Sequence, residues 1–180
     1  MQLSQLQNEL RSAIPTIPDF PKPGILFYDV TAVMRDPSLF HHVTKTFAER
    51  FRSTDFDAVV GIDARGFIFG AALAYEMNKP FVPVRKPGKL PPEVEKIYYV
   101  LEYGEGELEI RKDAVKPGDK VIVIDDLLAT GGTAKGTVEL LQRIGAEVLE
   151  CCFVVELPDL NGRAQLGQVE SFSIIQYAGA

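Results

Sequence analysis

From Val121 to Thr133 the chain reads Val-Ile-Val-Ile-Asp-Asp-Leu-Leu-Ala-Thr-Gly-Gly-Thr. A run of four β-branched residues leads into two carboxylates, Asp125 and Asp126, and a glycine pair follows shortly after. The spacing predicts a strand that ends at the carboxylates, then a short loop, then the first turn of a helix. A helix N-terminus offers free N–H groups to an anion, and ligands of open parallel sheets gather beyond the carboxyl ends of the strands. Gly131 and Gly132 let the backbone approach that anion, with Ala129 completing the loop. Thr130 and Thr133 add hydroxyl donors, and Thr133 is also suited to cap the helix. Two carboxylates beside a phosphate nest would repel its ligand unless they bind something else. The vicinal hydroxyls of a ribose satisfy them, and a nearby Mg²⁺ offsets their charge. The chemistry indicated is recognition of a sugar with a phosphate on its 5′ side.

A second loop, Gly61-Ile-Asp-Ala-Arg-Gly66, joins a short apolar run to a helical one. Read alone, Asp63, Ala64 and Arg65 are a tight turn with a solvated arginine. Beside a phosphate site, Arg65 reads as a diphosphate ligand, because a guanidinium matches phosphoryl oxygens as a fork. Arg85, Lys86 and Lys89 form a basic cluster at the start of a Gly- and Pro-rich loop, suited to the same anion. His41 and His42 have no third ligand at metal-site spacing, and no metal held directly by the protein is expected.

The elements that must carry these groups follow from periodicity. Leu3, Leu6 and Leu10 recur at helical spacing, so the first dozen residues read as an amphipathic helix. Pro15, Pro18, Pro21 and Pro23 then impose an extended path, either a linker or, as the apolar Ile25-Leu26-Phe27 suggests, a packed segment. Asp36-Pro37 opens a helix with Val43, Phe47 and Phe51 on one face. Strands are expected over 58–61, 81–85, 120–124, 147–156 and 172–175, with helices over 66–75 and 133–144. Strand–helix alternation with continuously apolar strands predicts an α/β fold, a largely parallel sheet flanked by helices. Residues 86–112 break the alternation and read as a loop plus β-hairpin around Gly104 and Gly106, a flexible flap bearing Glu102 and Tyr103.

With 180 residues the chain suits one domain. Its formal net charge of −6 argues against sequence-independent nucleic-acid binding. No segment approaches the roughly 20 apolar residues that cross a bilayer. Met1–Leu10 is polar rather than continuously apolar, so no secretory signal is expected. Cys151 and Cys152 are adjacent, and on a strand they face opposite ways, which disfavours a disulfide between them and points to a reducing, cytoplasmic setting.

The run from Val121 to Thr133 closely resembles the 5-phosphoribosyl-1-diphosphate (PRPP) motif of type I phosphoribosyltransferases. Four further segments resemble the adenine-specific members in order and spacing: Phe20–Phe27, Asp63–Gly70, Val84–Pro91 and Leu101–Gly104, with Leu108–Ala114 after them. The resemblance spans residues 5 to 177. It implies a single phosphoribosyltransferase domain over 1–180, with residues 1–34 as an N-terminal helix and small base-covering hood. It implies transfer of the phosphoribosyl group from PRPP to adenine, giving AMP and pyrophosphate, with Mg²⁺ carried mainly by PRPP and pyrophosphate, in a homodimer. Asp63, Ala64 and Arg65 would hold pyrophosphate, with a non-proline cis peptide between Asp63 and Ala64. Phe27 and Leu127 would sandwich the adenine ring, and backbone groups around Leu26 would read its 6-amino edge. Glu102 would sit near N7 of the purine and Tyr103 would cover the reaction centre. The sequence departs from relatives at Ala64, where many carry Ser, at Pro87, and at Tyr28, where a mammalian relative carries Arg. A 6-oxopurine enzyme of the same fold and a non-catalytic PRPP-binding regulator are the alternatives; such regulators usually add a DNA-binding domain. A P-loop kinase is a weaker alternative still, because no GxxxxGK[ST] run occurs.

Overall fold

A computed structural model describes residues 2–101 and 104–178. Helix α1 (Leu3–Ala13) turns Leu6 and Leu10 into the core, and its polar side is tied to the chain's last strand. There, Gln7 Nε2 donates to the Ile174 carbonyl at 2.8 Å and Arg11 Nη2 to that of Gln176 at 2.9 Å. The proline-rich stretch is packed. Strand β1 (Thr16–Pro18) pairs antiparallel with β2 (Leu26–Tyr28) to make a separate two-stranded hood. Helix α2 (Thr31–Arg35) follows, a short element that the sequence pattern did not reveal. In α3 (Pro37–Arg50), the Asp36 side chain accepts from the N–H groups of Ser38 and Leu39, while Val43 and Phe47 are buried.

Five parallel strands then form the central sheet in the order β4-β3-β7-β8-β9. They are β3 (Ala58–Ile62), β4 (Phe81–Val84), β7 (Lys120–Leu128), β8 (Glu147–Glu156) and β9 (Glu170–Gln176). Helix α4 (Gly66–Met77) joins β3 to β4, and α5 (Gly132–Arg143) joins β7 to β8. The strands are apolar throughout because both faces are covered. Val59, Ile122, Ile124, Cys152 and Val154 face one core with α1, α3 and α4. Ala58, Val60, Val121, Val123, Cys151 and Phe153 face a second core with α5. Both cysteines are buried free thiols on opposite faces.

The excursion after β4 folds as the expected hairpin, β5 (Val94–Leu101) against β6 (Gly104–Arg111). Its base is firmly seated, with Ile97, Leu108 and Ile110 buried in the second core. Buried Glu109 ties hairpin to loop: its carboxylate takes Lys96 Nζ at 2.7 Å and the Gly88 N–H at 3.0 Å, and its backbone pairs with Arg85.

One strand boundary differs from the sequence expectation in a way that matters. Strand β7 does not end at Ile124 but continues to Leu128, so Asp125 and Asp126 lie within it. Aspartate is depleted in strands, which suggested the break, but pairing with β8 overrides that preference. Asp125 pairs with Phe153, Leu127 with Val155 and Leu128 with Glu156. On its other side, β7 loses its partner after the Gly61–Ile124 pair, where β3 turns off into α4. No helix among the described residues is long and apolar enough to cross a membrane.

Candidate active site

The connection from β3 runs outward to β4, whereas that from β7 runs the opposite way to β8. A crevice opens where such connections diverge, outside the carboxyl ends of the strands. A cleft of about 320 Å³ occupies this point, and Asp63, Ala64, Arg65, Lys86, Asp125, Asp126, Leu127 and 129–133 line it. The structure thus gathers the carboxylate pair, the loop before α5 and the loop after β3. Tyr99 and Leu108 of the hairpin and Phe153 of β8 complete the walls.

The loop before α5 is open at its helix end. Gly131 is the N-cap of α5 with φ +83°, a left-handed conformation suited to glycine, and no side chain caps the helix. This corrects the capping role expected of Thr133. Thr133 lies inside the first turn and its carbonyl accepts from Thr137 Oγ1, while its side chain borders the cleft. The uncapped N–H groups and the helix dipole favour an anion here.

Across the cleft, the Asp63–Ala64 peptide is cis, as the resemblance implied. Helix α4 starts hard against β7: a Cβ on Gly66 would lie 2.7 Å from the Ile124 carbonyl oxygen and 2.8 Å from Asp125 Oδ1. That close approach brings the 63–65 loop beside the carboxylates. Arg65 Nε lies 2.8 Å from Asp126 Oδ2, and its guanidinium carbon is 5.7 Å from the centre of the Phe27 ring. Phe27 in turn meets Phe20 edge-on at 5.0 Å, so the hood reaches the cleft through Arg65. Leu26, Phe27, Arg85 and Lys89 do not themselves line the cleft. Arg85 Nε donates to Asp63 Oδ2 at 3.0 Å and its Nη1 to the Lys89 carbonyl at 3.3 Å, bracing the loop from the side of β4. Tyr28, the last residue of β2, is buried with its ring tilted against that of Tyr177, centres 4.4 Å apart, so this departure faces the core rather than the cleft. Glu102 and Tyr103 lie outside the described residues.

The carboxylates are electrostatically unusual. Asp126 is 3% exposed, and Asp125 Oδ1 accepts from the Asp126 N–H at 2.8 Å. Burial raises the pKa of Asp125 well above the ordinary carboxylate range, and the neighbouring Asp126 raises it further. Burial also raises Asp126, against the pull of Arg65. The approach of Arg65 is an ion pair without an aligned hydrogen bond, leaving Asp126 Oδ2 with no hydrogen-bond partner. No group of three or more His, Cys, Asp or Glu forms a metal cage among the described residues. Two carboxylates, one with an oxygen that lacks a hydrogen-bond partner, are hard oxygen donors of the kind Mg²⁺ takes.

Residues 29–179 match the phosphoribosyl transferase domain family. The adenine phosphoribosyltransferase of Methylobacterium nodulans is 49% identical over 172 residues, covering 94% of this chain and 95% of that protein. The crystal structure of the Thermoanaerobacter pseudethanolicus adenine phosphoribosyltransferase superposes with a TM-score of 0.92 at 44% identity, covering 95% of this chain and 99% of that one. The Saccharomyces cerevisiae enzyme, crystallised with an imino-altritol bisphosphate and adenine, gives 0.90 at 41% identity, covering 95% and 99%. The fold is that of the type I phosphoribosyltransferases, and the chain belongs to that family, among its adenine phosphoribosyltransferases.

The raised carboxylates yield a prediction with two opposite signs. Native Asp125 keeps its proton to higher pH than it does in the unfolded chain, so the free protein loses stability as pH rises from the ordinary carboxylate range toward the native value. Asn at position 125 cannot ionise and its Oδ1 can still accept from the Asp126 N–H. Asp125→Asn should therefore raise Tm at pH 7 by a few degrees, where 1 kcal/mol corresponds to about 2–4 °C in a domain of this size. It should weaken PRPP·Mg²⁺ by about 10- to 100-fold, the loss expected for one hydrogen bond to a charged group. Calorimetric titration and a thermal melt on parent and variant measure both; a lower Tm with unchanged PRPP affinity would contradict the assignment.

Proposed function

We propose that this protein transfers the 5-phosphoribosyl group of PRPP to adenine, giving AMP and pyrophosphate in purine salvage. The observation that carries this reading is the crevice between β3 and β7, with a carboxylate pair, a phosphate loop and a diphosphate loop on its walls, in a chain of the adenine phosphoribosyltransferase family.

Residues 129–133 take the 5-phosphate on uncapped N–H groups and on the hydroxyls of Thr130 and Thr133. Asp125 and Asp126 accept from the ribose hydroxyls. Asp63, Ala64 and Arg65, with Lys86, hold the diphosphate, and Arg85 and Lys89 support that end of the site. The adenine ring lies between Phe27 and Leu127, with backbone groups near Leu26 at its 6-amino edge. The N9–C1 bond forms as the C1–O bond to pyrophosphate breaks, the oxygen leaving with the electron pair. Positive charge builds on the ribose ring in between, as in other displacements of oxocarbenium character. Adenine gives up one ring proton, which we assign to Glu102 acting at N7. Tyr103 covers the centre, and the hairpin excludes the water that would compete with the base. A bound Mg²⁺, carried mainly by PRPP and pyrophosphate, would supply positive charge against that of the diphosphate. Buried free thiols suit a reducing compartment, the cytoplasm.

A base panel assayed with PRPP and Mg²⁺ tests the reading. Adenine should be preferred over hypoxanthine and guanine by at least about 100-fold in kcat/KM, near 2.7 kcal/mol of transition-state discrimination. Preference for a 6-oxopurine would overturn it.

The protein is also read as a homodimer. Helix α4 is apolar on nearly every side, yet Ile68 and Tyr75 are 45% and 89% exposed, a surface better covered than solvated. Light scattering at micromolar concentration should give twice the 19.9 kDa chain mass. A monomer would refute a stable dimer.

A further inference from the structure

The phosphate loop is braced from behind by a segment to which the sequence reading gave no role. After β8 the chain makes two short 3-10 turns, Pro158–Leu160 and Gly162–Leu166. Here the backbones of Gly131 and Gly162 meet. A Cβ on Gly131 would overlap the Gly162 carbonyl oxygen and come within 3.0 Å of Gln165 Cβ. A Cβ on Gly162 would overlap the carbonyl oxygen of Ala129, lie 3.0 Å from Leu128 Cδ1 and 3.1 Å from the Gly131 nitrogen. Gly131 needs to be glycine for its positive φ alone, whereas Gly162 is not in the left-handed region. At position 162 glycine is required by space, and the atoms that fill that space are the backbone of the phosphate loop.

The brace is fixed to the sheet. Arg163 grips buried Glu156 with both arms of its fork, Nε to Oε1 at 2.5 Å and Nη2 to Oε2 at 2.6 Å, and donates through Nη1 to the Ser171 carbonyl at 2.9 Å. Gln176 Nε2 adds a bond to Glu156 Oε2 at 3.0 Å, the Leu157 N–H donates to the Leu128 carbonyl at 2.9 Å, and Leu166 is buried in the core that holds α5. A segment held at both β8 and β9 yields little, so an added methyl at Gly162 displaces the loop in front of it.

We propose that Gly162 is a positioning residue for phosphate binding: its missing side chain lets residues 129–131 settle against the 158–166 segment, which sets the aim of the loop's N–H groups. The proposal rests on the reading of residues 129–133 as the phosphate loop. Two alanine variants separate aim from stability. In Gly162→Ala the methyl strikes the loop. In Gly167→Ala it strains a residue with φ +63° but meets nothing within 4 Å. Titrations with PRPP·Mg²⁺ and with pyrophosphate·Mg²⁺, plus a thermal melt, are run on both and on the parent. Gly162→Ala should weaken PRPP at least about 10-fold, the loss of one charge-assisted contact, and leave pyrophosphate within about twofold. Gly167→Ala should lower Tm and keep PRPP affinity. A folded Gly162→Ala that binds PRPP like the parent overturns the proposal, as does an equal fall for pyrophosphate. If Gly162→Ala does not fold, Arg163→Lys decides: it loses the fork without adding bulk, and unchanged PRPP affinity in it overturns the proposal equally. A parent that binds pyrophosphate but gains nothing from the phosphoribosyl part of PRPP refutes the phosphate-loop reading itself. A parent that does gain, with indifferent variants, refutes only the role of Gly162.

Discussion

Strand β7 is hydrogen-bonded on both sides as far as Ile124 and on one side only from Asp125 onward. Most of the site depends on that unequal pairing. Because β3 leaves the sheet early, α4 can start directly against β7, with Gly66 admitting the approach, and the 63–65 loop lands beside the carboxylates. Because β8 continues to pair, Asp125 and Asp126 are held on a strand rather than on a mobile loop, which fixes where a ribose would lie. A further four residues of β7 carry the chain to Leu128, the level at which the phosphate loop begins. From Asp125 to Leu128 the chain is therefore fixed by the sheet, and only residues 129–131 form a loop before α5.

This arrangement costs the free protein stability. Of two adjacent carboxylates, Asp126 is buried against the Arg65 guanidinium and Asp125 is half-buried, and desolvation opposes the charge on both. In the proposed complex, a sugar with its metal would bring hydroxyl donors and positive charge to these carboxylates. Local rules are commonly broken at sites of this kind, where function opposes stability. The rest of the molecule compensates in ordinary ways: a parallel sheet with apolar layers on both faces, a well-capped α3, and ion pairs such as Arg163–Glu156 that fix connections to the sheet.

Much of this was legible in the sequence. The β8 boundaries, Glu147 to Glu156, match the apolar run, and the strand–loop–helix from Val121 announces itself because a glycine pair between an apolar run and a helical period has few other readings. The hairpin was legible from its aromatic alternation. Four features were not. The true end of β7 depends on which neighbour still pairs with it, and composition alone does not record a partner. Helix α2 is five residues long, too short to show a period. Gly162 looks like any loop glycine, since its necessity comes from Ala129 and Gly131, some thirty residues earlier, and only the fold brings them together. Tyr28 likewise gave no sign that it would turn from the hood into the core against Tyr177.

In the proposed complex one crevice, opened where β3 and β7 part, receives PRPP with its phosphate on the α5 loop and its ribose on the carboxylates. A crystal structure determined with PRPP and Mg²⁺ tests it most directly. The 5-phosphate should lie within hydrogen-bonding distance of the N–H groups of residues 130–133, the ribose hydroxyls against Asp125 and Asp126, and the diphosphate over residues 63–65. A phosphate bound elsewhere, or a ribose with both aspartates turned away, would contradict it.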